Sequence, residues 1–246
     1  MIDTQTLTVV ILALAAGGIL KGAAGAGAPV IAVPVMAMFF DVRFAVVIFA
    51  YPNLLGNIYQ AWAYRAHLGP KRLWLAFAVG GFLGVPFGTF LLFWLPPDAL
   101  RLALAAFIVF YIGFRLARPD WSLARVLGER IAGVVGAVGG VFYGAIALSA
   151  PISVTFVSAM RLRREEFIAI MSMFFLTMGL AQMPSLYLAG ALTPQTHILG
   201  AVATVSMIAA MRPGNWFARY LSPTSFDRLI LILLALIELR ILTQAL

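Results

Sequence analysis

Cysteine is absent from this chain, and charge of either sign is scarce. The first absence excludes disulfides, thiol catalysis and any thiolate metal site, and says nothing about compartment. Nine acidic residues among 246 leave few carboxylates for general acid–base work. The two histidines, His67 and His197, are isolated in sequence, so neither a metal centre nor another cofactor is expected. There is no P-loop, no Ser–His–Asp set and no Gly-x-Gly-x-x-Gly unit, and an enzyme is not the expected reading. What remains is apolar: 63% of residues are hydrophobic, 11% are charged, and the mean hydropathy is +1.01. A soluble domain carries roughly 25% charge; this composition is that of an integral membrane protein. The net charge of +8 then marks cytoplasmic loops, not a nucleic-acid partner. The opening Met-Ile-Asp-Thr-Gln-Thr-Leu has neither a basic start nor a small-residue cleavage site, so no removable signal peptide is read.

Six plain spans are expected at 43–64, 72–95, 99–116, 166–189, 196–221 and 228–245, each close to the roughly 20 residues needed to cross. Two further apolar segments, 7–40 and 131–160, are too long for one helix and too short for two. Their centres repeat each other. Gly18–Met38 and Gly140–Met160 align without gaps at an offset of 122 and share eight of 21 residues, among them Gly18/Gly140, Gly22/Gly144 and Pro29/Pro151. Each is broken by small residues and restarts at a proline. Such breaks at matching places in two halves point to a transporter's substrate site. Two half-spans folded as a hairpin fit the lengths.

The distribution of basic residues favours that arrangement. If both hairpins return to their own side and the N-terminus lies outside, 12 of the 17 basic residues fall inside and three, Arg43, Arg101 and Arg240, outside. Lys21 and Arg212 are left at membrane depth. The expected fold is all-α: an inverted repeat of two halves, 1–117 and 130–246, each a re-entrant hairpin plus three spans, joined by a cytoplasmic linker at 118–129. Both termini lie outside a multi-pass cell (inner) membrane protein. A second gapless match, Gly84–Arg101 with Ala210–Asp227 at offset 126, pairs Gly88 with Gly214 and Pro97 with Pro223.

Candidate substrate-binding residues cluster at the breaks. Gly22, Gly25 and Gly27 permit a tight turn and close backbone approach, and Ala28–Pro29 starts a helix whose missing N–H costs nothing. Ser149, Ala150 and Pro151 stand at the corresponding place in the second copy. Two helix N-termini facing each other near the midplane make an anion site; helix packing through small residues is the other reading of the glycines. Lys21 lies beside the first break, opposite the uncharged Tyr143 of the repeat. An ammonium at that depth is a functional candidate, unless it snorkels to water. Arg212, before Pro213–Gly214, either binds an oxoanion bidentately at an interrupted helix or belongs to a cytoplasmic loop. Asn53, Asn57 and Gln60 share one helix face, with Thr177, Gln182 and Ser185 as candidates in the second half. Tyr51, Tyr59 and Tyr143 are possible donors to an anion. Glu238 is the one candidate for proton coupling, with a neutralising or interfacial role as the alternative.

The two Gly- and Pro-containing segments resemble those of the TauE/SafE family of sulfite and organosulfonate exporters. The first, Gly18-Ile-Leu-Lys-Gly-Ala-Ala-Gly-Ala-Gly-Ala-Pro29 with Val33-Pro34, is similar to that family's Gly-rich segment and Val-Pro; Gly136 to Gly140, through Gly144 to Pro151, is similar to its repeat. Lys21, the alanines diluting the glycines, and Phe156 in place of a second proline depart from the pattern. The resemblance implies transport of a sulfur-containing anion such as sulfite or a sulfonate. The expected function is therefore a secondary transporter, an exporter working by alternating access around two opposed tips. An importer of the same fold and an anion channel are the alternatives. The partners are the small anion and the lipid bilayer, with a homodimer left open.

Overall fold

A computed structural model describes residues 3–25, 27–117 and 121–217. The described residues are helical, without strands. Helix α1 (Thr4–Ala24) is followed after a short break by α2 (Ala28–Phe39), then α3 (Val42–Tyr64), a 3-10 turn (Arg65–His67), α4 (Lys71–Trp94) and α5 (Pro97–Ala117). The same order of lengths recurs in α6 (Arg125–Ile146), α7 (Ala150–Ala159), α8 (Arg164–Leu188) and α9 (Pro194–Phe217). Six of these, α1, α3, α4, α5, α6 and α8, are long and apolar enough to cross a membrane. Helix α9, which carries His197 and Arg212, is not among them, and the expected span 228–245 lies outside the described residues.

The two broken segments differ from the expectation in one respect. Their arms are unequal. The first arms, α1 and α6, have 21 and 22 residues, whereas the returning arms, α2 and α7, have 12 and 10. Small residues did not end the first arms because helix packing requires them. Gly18 and Gly22 of α1 press on the carbonyls of Met207 and Met211 in α9, and Gly214 of α9 presses on the carbonyl of Ile19. A side chain at any of these positions would overlap the backbone opposite. In the second half, Gly140 and Gly144 of α6 meet the carbonyls of Gly81 and Val85 in α4, and Gly88 of α4 meets that of Val141. The offsets 122 and 126 convert each contact of the first set into one of the second. The first arm of each half thus packs on a helix of the other half, while α3 packs on α8.

Each break is made by a residue in the left-handed region. Gly25, at φ 77°, ends α1 with its N–H bonded to the Lys21 carbonyl, and Gly27, at φ 97°, opens α2. The residue corresponding to Gly25 is Ala147, at φ 53°, whose N–H bonds to the Tyr143 carbonyl at 2.7 Å. An alanine there bears a conformational cost that glycine avoids. Pro29 and Pro151 follow in the first turns of α2 and α7.

The expected interruption at Pro213–Gly214 is not present: α9 runs through both to Phe217, held by the close contact of Gly214 on α1. The helix ends sort onto two faces. On one, the Arg43 guanidinium caps α4 by donating to the carbonyls of Leu92 (2.9 Å) and Leu95 (2.7 Å). On the other, Arg125 at the start of α6 pairs with Glu166 at the start of α8 (2.7 Å), and both abut Gly69 in the turn before α4.

Candidate functional site

Lys21 is in the last turn of α1, where the negative end of the helix dipole favours a cation. Only 3% of its surface is exposed, so it does not snorkel. Its Nζ donates to Asn57 Oδ1 at 2.7 Å. Asn57 Nδ2 in turn donates to the Asn53 carbonyl (2.6 Å) and to Asn53 Oδ1 (3.0 Å), and Asn53 Nδ2 donates to the Phe175 carbonyl at 3.0 Å. A chain of amides therefore runs from the ammonium on α1, along one face of α3, to the backbone of α8. Among the described residues no carboxylate pairs with Lys21. The ammonium is held by neutral dipoles beside the Phe175 ring, 5.9 Å from its centroid.

Sequence spacing explains the α3 part. Asn53 and Asn57 lie one turn apart, with Pro52 immediately before them in the middle of the helix. Gly27, Ala28 and Pro29 line the same small space as Lys21 and Asn53, so the first break reaches the mid-length of α3 and α8. Phe49, Phe175 and Met207 complete that space, which is too tight for a water molecule. Tyr143, fully buried, enters from α6 with its ring 6.4 Å from that of Phe175. Its hydroxyl lies near Asn53 without forming a hydrogen bond of ordinary geometry, and is left unpartnered. Buried unpartnered hydroxyls are uncommon.

The N–H groups at the break are fewer than two open helix ends would offer. In α2, Pro29 has no N–H and that of Val30 bonds to the Gly27 carbonyl at 3.0 Å, leaving Ala28 among the first three positions. In α7, Ile152 and Ser153 both bond back to the Ser149 carbonyl. Ser149, Ala150 and Pro151 are buried at the second break, with Ser149 Oγ 3.4 Å from Ser153 Oγ, but they do not line the space around Lys21.

The remaining candidates are placed elsewhere. Gln182 is fully buried with both amide atoms unpartnered, and lines neither this space nor the larger cleft described next. Thr177 and Ser185 hydroxyls are spent on backbone carbonyls. Tyr51 bonds to His197 Nδ1 at 2.8 Å. Glu238 lies outside the described residues. Arg212 is not at the Lys21 space: it lines a cleft of about 570 Å³ at the face where α8 begins, together with Gly22, Gly25, Tyr59, Gln60 and Arg164. Among the described residues no metal-ligand cluster is present.

Two features of this assembly were not singled out in the sequence. Phe49, Phe175 and Met207 are ordinary apolar residues in a chain full of them. Arg164 reads in the sequence as a cytoplasmic loop charge, and only its position at the start of α8 brings it over the first break.

The arrangement defines a class. It is a multi-pass helical membrane protein whose chain breaks within the helical bundle beside a buried lysine that, among the described residues, has no carboxylate partner. The family model described as sulfite exporter TauE/SafE matches residues 9–241, and the chain belongs to that family of membrane transporters. No curated protein and no solved structure matches it.

Proposed function

We propose that the protein exports a small sulfur-containing oxoanion, sulfite or an organosulfonate, across the cell membrane by alternating access. Lys21 carries this reading. A buried ammonium held, among the described residues, by neutral amides has a strong need for a counter-ion, and an arriving sulfite or sulfonate supplies it. The Ala28 N–H, the Asn53 amide and the unpartnered Tyr143 hydroxyl are further donors for its oxygens. The space around Lys21 is shut while the neighbouring cleft is open, which favours a carrier over a channel. The recurring glycine contacts support an inverted repeat whose two halves exchange which face is open, and the distribution of basic residues favours both termini outside. Export of an anion from a negative interior is favoured by roughly 2.3 kcal/mol per charge per 100 mV, so the membrane potential itself is a driving force.

Proteoliposomes loaded with sulfite, methanesulfonate or isethionate provide the test. The wild-type chain should release at least one of them with saturation and in response to membrane potential, and Lys21→Ala should abolish release. Unchanged release by Lys21→Ala would remove the lysine from the site. No release of any of the three by the wild-type chain would remove the function.

A further inference from the structure

The cleft that holds Arg212 is separate from the space around Lys21, yet only a thin wall divides them. Gly22 and Gly56 face the cleft, while Lys21, their neighbour in sequence or space, faces the closed side. The methyl of Met207 lies against Gly56: a Cβ built there would stand 2.6 Å from Met207 Cε and 3.8 Å from Lys21 Cε. Behind Gly56 of the cleft wall thus stand the flexible thioether of Met207 and the Lys21 side chain. Methionine changes rotamer more readily than a branched side chain.

The cleft itself has the chemistry of an anion site. Arg164 comes from the start of α8 and Arg212 from the last turns of α9, and among the described residues neither has a carboxylate partner. Among the described residues no acidic side chain lines the cleft with them. Gln60 is 6% exposed, and its amide oxygen is buried there without a partner. Rotation of that amide exchanges its oxygen for two N–H donors. Tyr59 and Tyr64 add aromatic wall. A volume of about 570 Å³ is far larger than sulfite and accommodates an anion with an organic body.

We propose that this cleft is a first anion-binding station, in which Arg164, Arg212 and Gln60 hold a sulfonate or similar oxoanion before it reaches Lys21, and that Met207 closing on Gly56 is the gate between the two. The onward step rests on the transport reading above; binding at the cleft does not.

Binding of 2-naphthalenesulfonate to the purified full chain in nanodiscs, followed by its fluorescence, separates the two stations. The proposal expects Lys21→Ala to bind the probe within twofold of the wild type, and Arg164→Gln/Arg212→Gln to bind it at least tenfold more weakly. Should the double variant fail to elute as a single folded species, each single substitution and Gln60→Leu should weaken binding at least threefold. Binding that survives loss of the arginines, or that disappears with Lys21 alone, overturns the first station. If the arginines govern binding but nothing is transported, the cleft stands and the transport reading falls; the reverse result has the opposite meaning.

The gate has its own readout, because the chain has no cysteine to compete. A cysteine placed by Ala28→Cys lies on the closed side. Its labelling by 2-sulfonatoethyl methanethiosulfonate should accelerate at least tenfold when Met207→Ala is added. Equal labelling rates in folded protein overturn the gate.

Discussion

Lys21 and Tyr143 both pack against Phe175, the ammonium 5.9 Å and the phenol ring 6.4 Å from its ring centroid. They occupy equivalent positions in the two halves, at the offset of 122 that also relates Asn53 to Phe175. The same crossing point thus receives a cation from one half and a neutral hydroxyl from the other. Of this equivalent pair, one side chain brings a charge to the Phe175 ring and the other does not.

The Tyr143 hydroxyl is buried without a partner, so the folded protein gains little from it. Tyr143→Phe should leave thermal stability unchanged or raised by about 1 kcal/mol, since an unsatisfied buried group costs about 1–3 kcal/mol. If the hydroxyl donates to the anion, the same substitution should raise KM for transport about tenfold, as expected for a lost hydrogen bond to a charged group. A fall in stability with unchanged KM would make the hydroxyl structural.

Asn57 is the single amide between Lys21 and Asn53. Asn57→Leu leaves the buried ammonium without its acceptor and should destabilise the protein by about 3 kcal/mol or more. Adding Lys21→Met to the same chain removes the stranded charge, so the double variant should be more stable than Asn57→Leu alone. Thermal unfolding in detergent of the two singles and the double gives the coupling. Additive losses would mean that the two side chains do not depend on each other.

The glycine contacts predict a matched pair of defects. Gly22→Ala should destabilise the α1–α9 contact, and Gly144→Ala the α4–α6 contact, each by about 1–3 kcal/mol through overpacking. Gly113→Ala is the control: nothing lies within 4 Å of its added carbon, and it should be neutral or stabilising by up to about 1 kcal/mol. Melting temperatures that rank the three otherwise would refute the close packing.

At the second break, Ala147→Gly should stabilise the folded chain by about 1 kcal/mol, because the left-handed conformation at φ 53° penalises a Cβ. Lower stability would show that the buried methyl contributes more than its strain costs.

Asp3 caps α1, accepting from the Thr6 N–H and the Thr6 hydroxyl, both at 2.7 Å. These bonds, the backbone one foremost, hold its carboxyl below the ordinary value. Its folded pKa lies beneath the unfolded one, so the cap's contribution is fully present above the unfolded value and is lost as pH falls through the folded value. Hydrogen exchange at residues 4–8 should therefore accelerate, relative to intrinsic rates, as the pH is lowered below the carboxylate range. In Asp3→Ala it should be fast throughout. Exchange with the same pH profile in both would remove the cap from the account.

Much of this was readable from the chain. Charged residues bracket the apolar runs, so α3, α4, α5 and α8 coincide with the expected segments to within two residues. Gly25, Gly27, Pro29 and Pro151 mark the breaks because few other residues suit those backbone positions. The unequal arms were not readable: Gly22 looks like a helix breaker until the carbonyl of Met211 opposite it is known. Pro213–Gly214 misled for the same reason. The lining supplied by Phe49, Phe175 and Met207 carries no sequence signal in a chain that is 63% hydrophobic. Arg212 was legible as an unusual cation at depth, but its place in the cleft with Arg164 depends on an α9 that does not break.

The exchange of partners between halves also governs how the chain is built. Synthesis proceeds at about 5–20 residues per second, and Met207, which Gly18 packs against, emerges 189 residues after it. The glycine face of α1 must then wait roughly ten to forty seconds, at those speeds, before α9 covers it. Gly144 finds Val85 already made. The second half assembles onto a waiting surface, whereas the first spends most of translation with its seam open to lipid or to a chaperone.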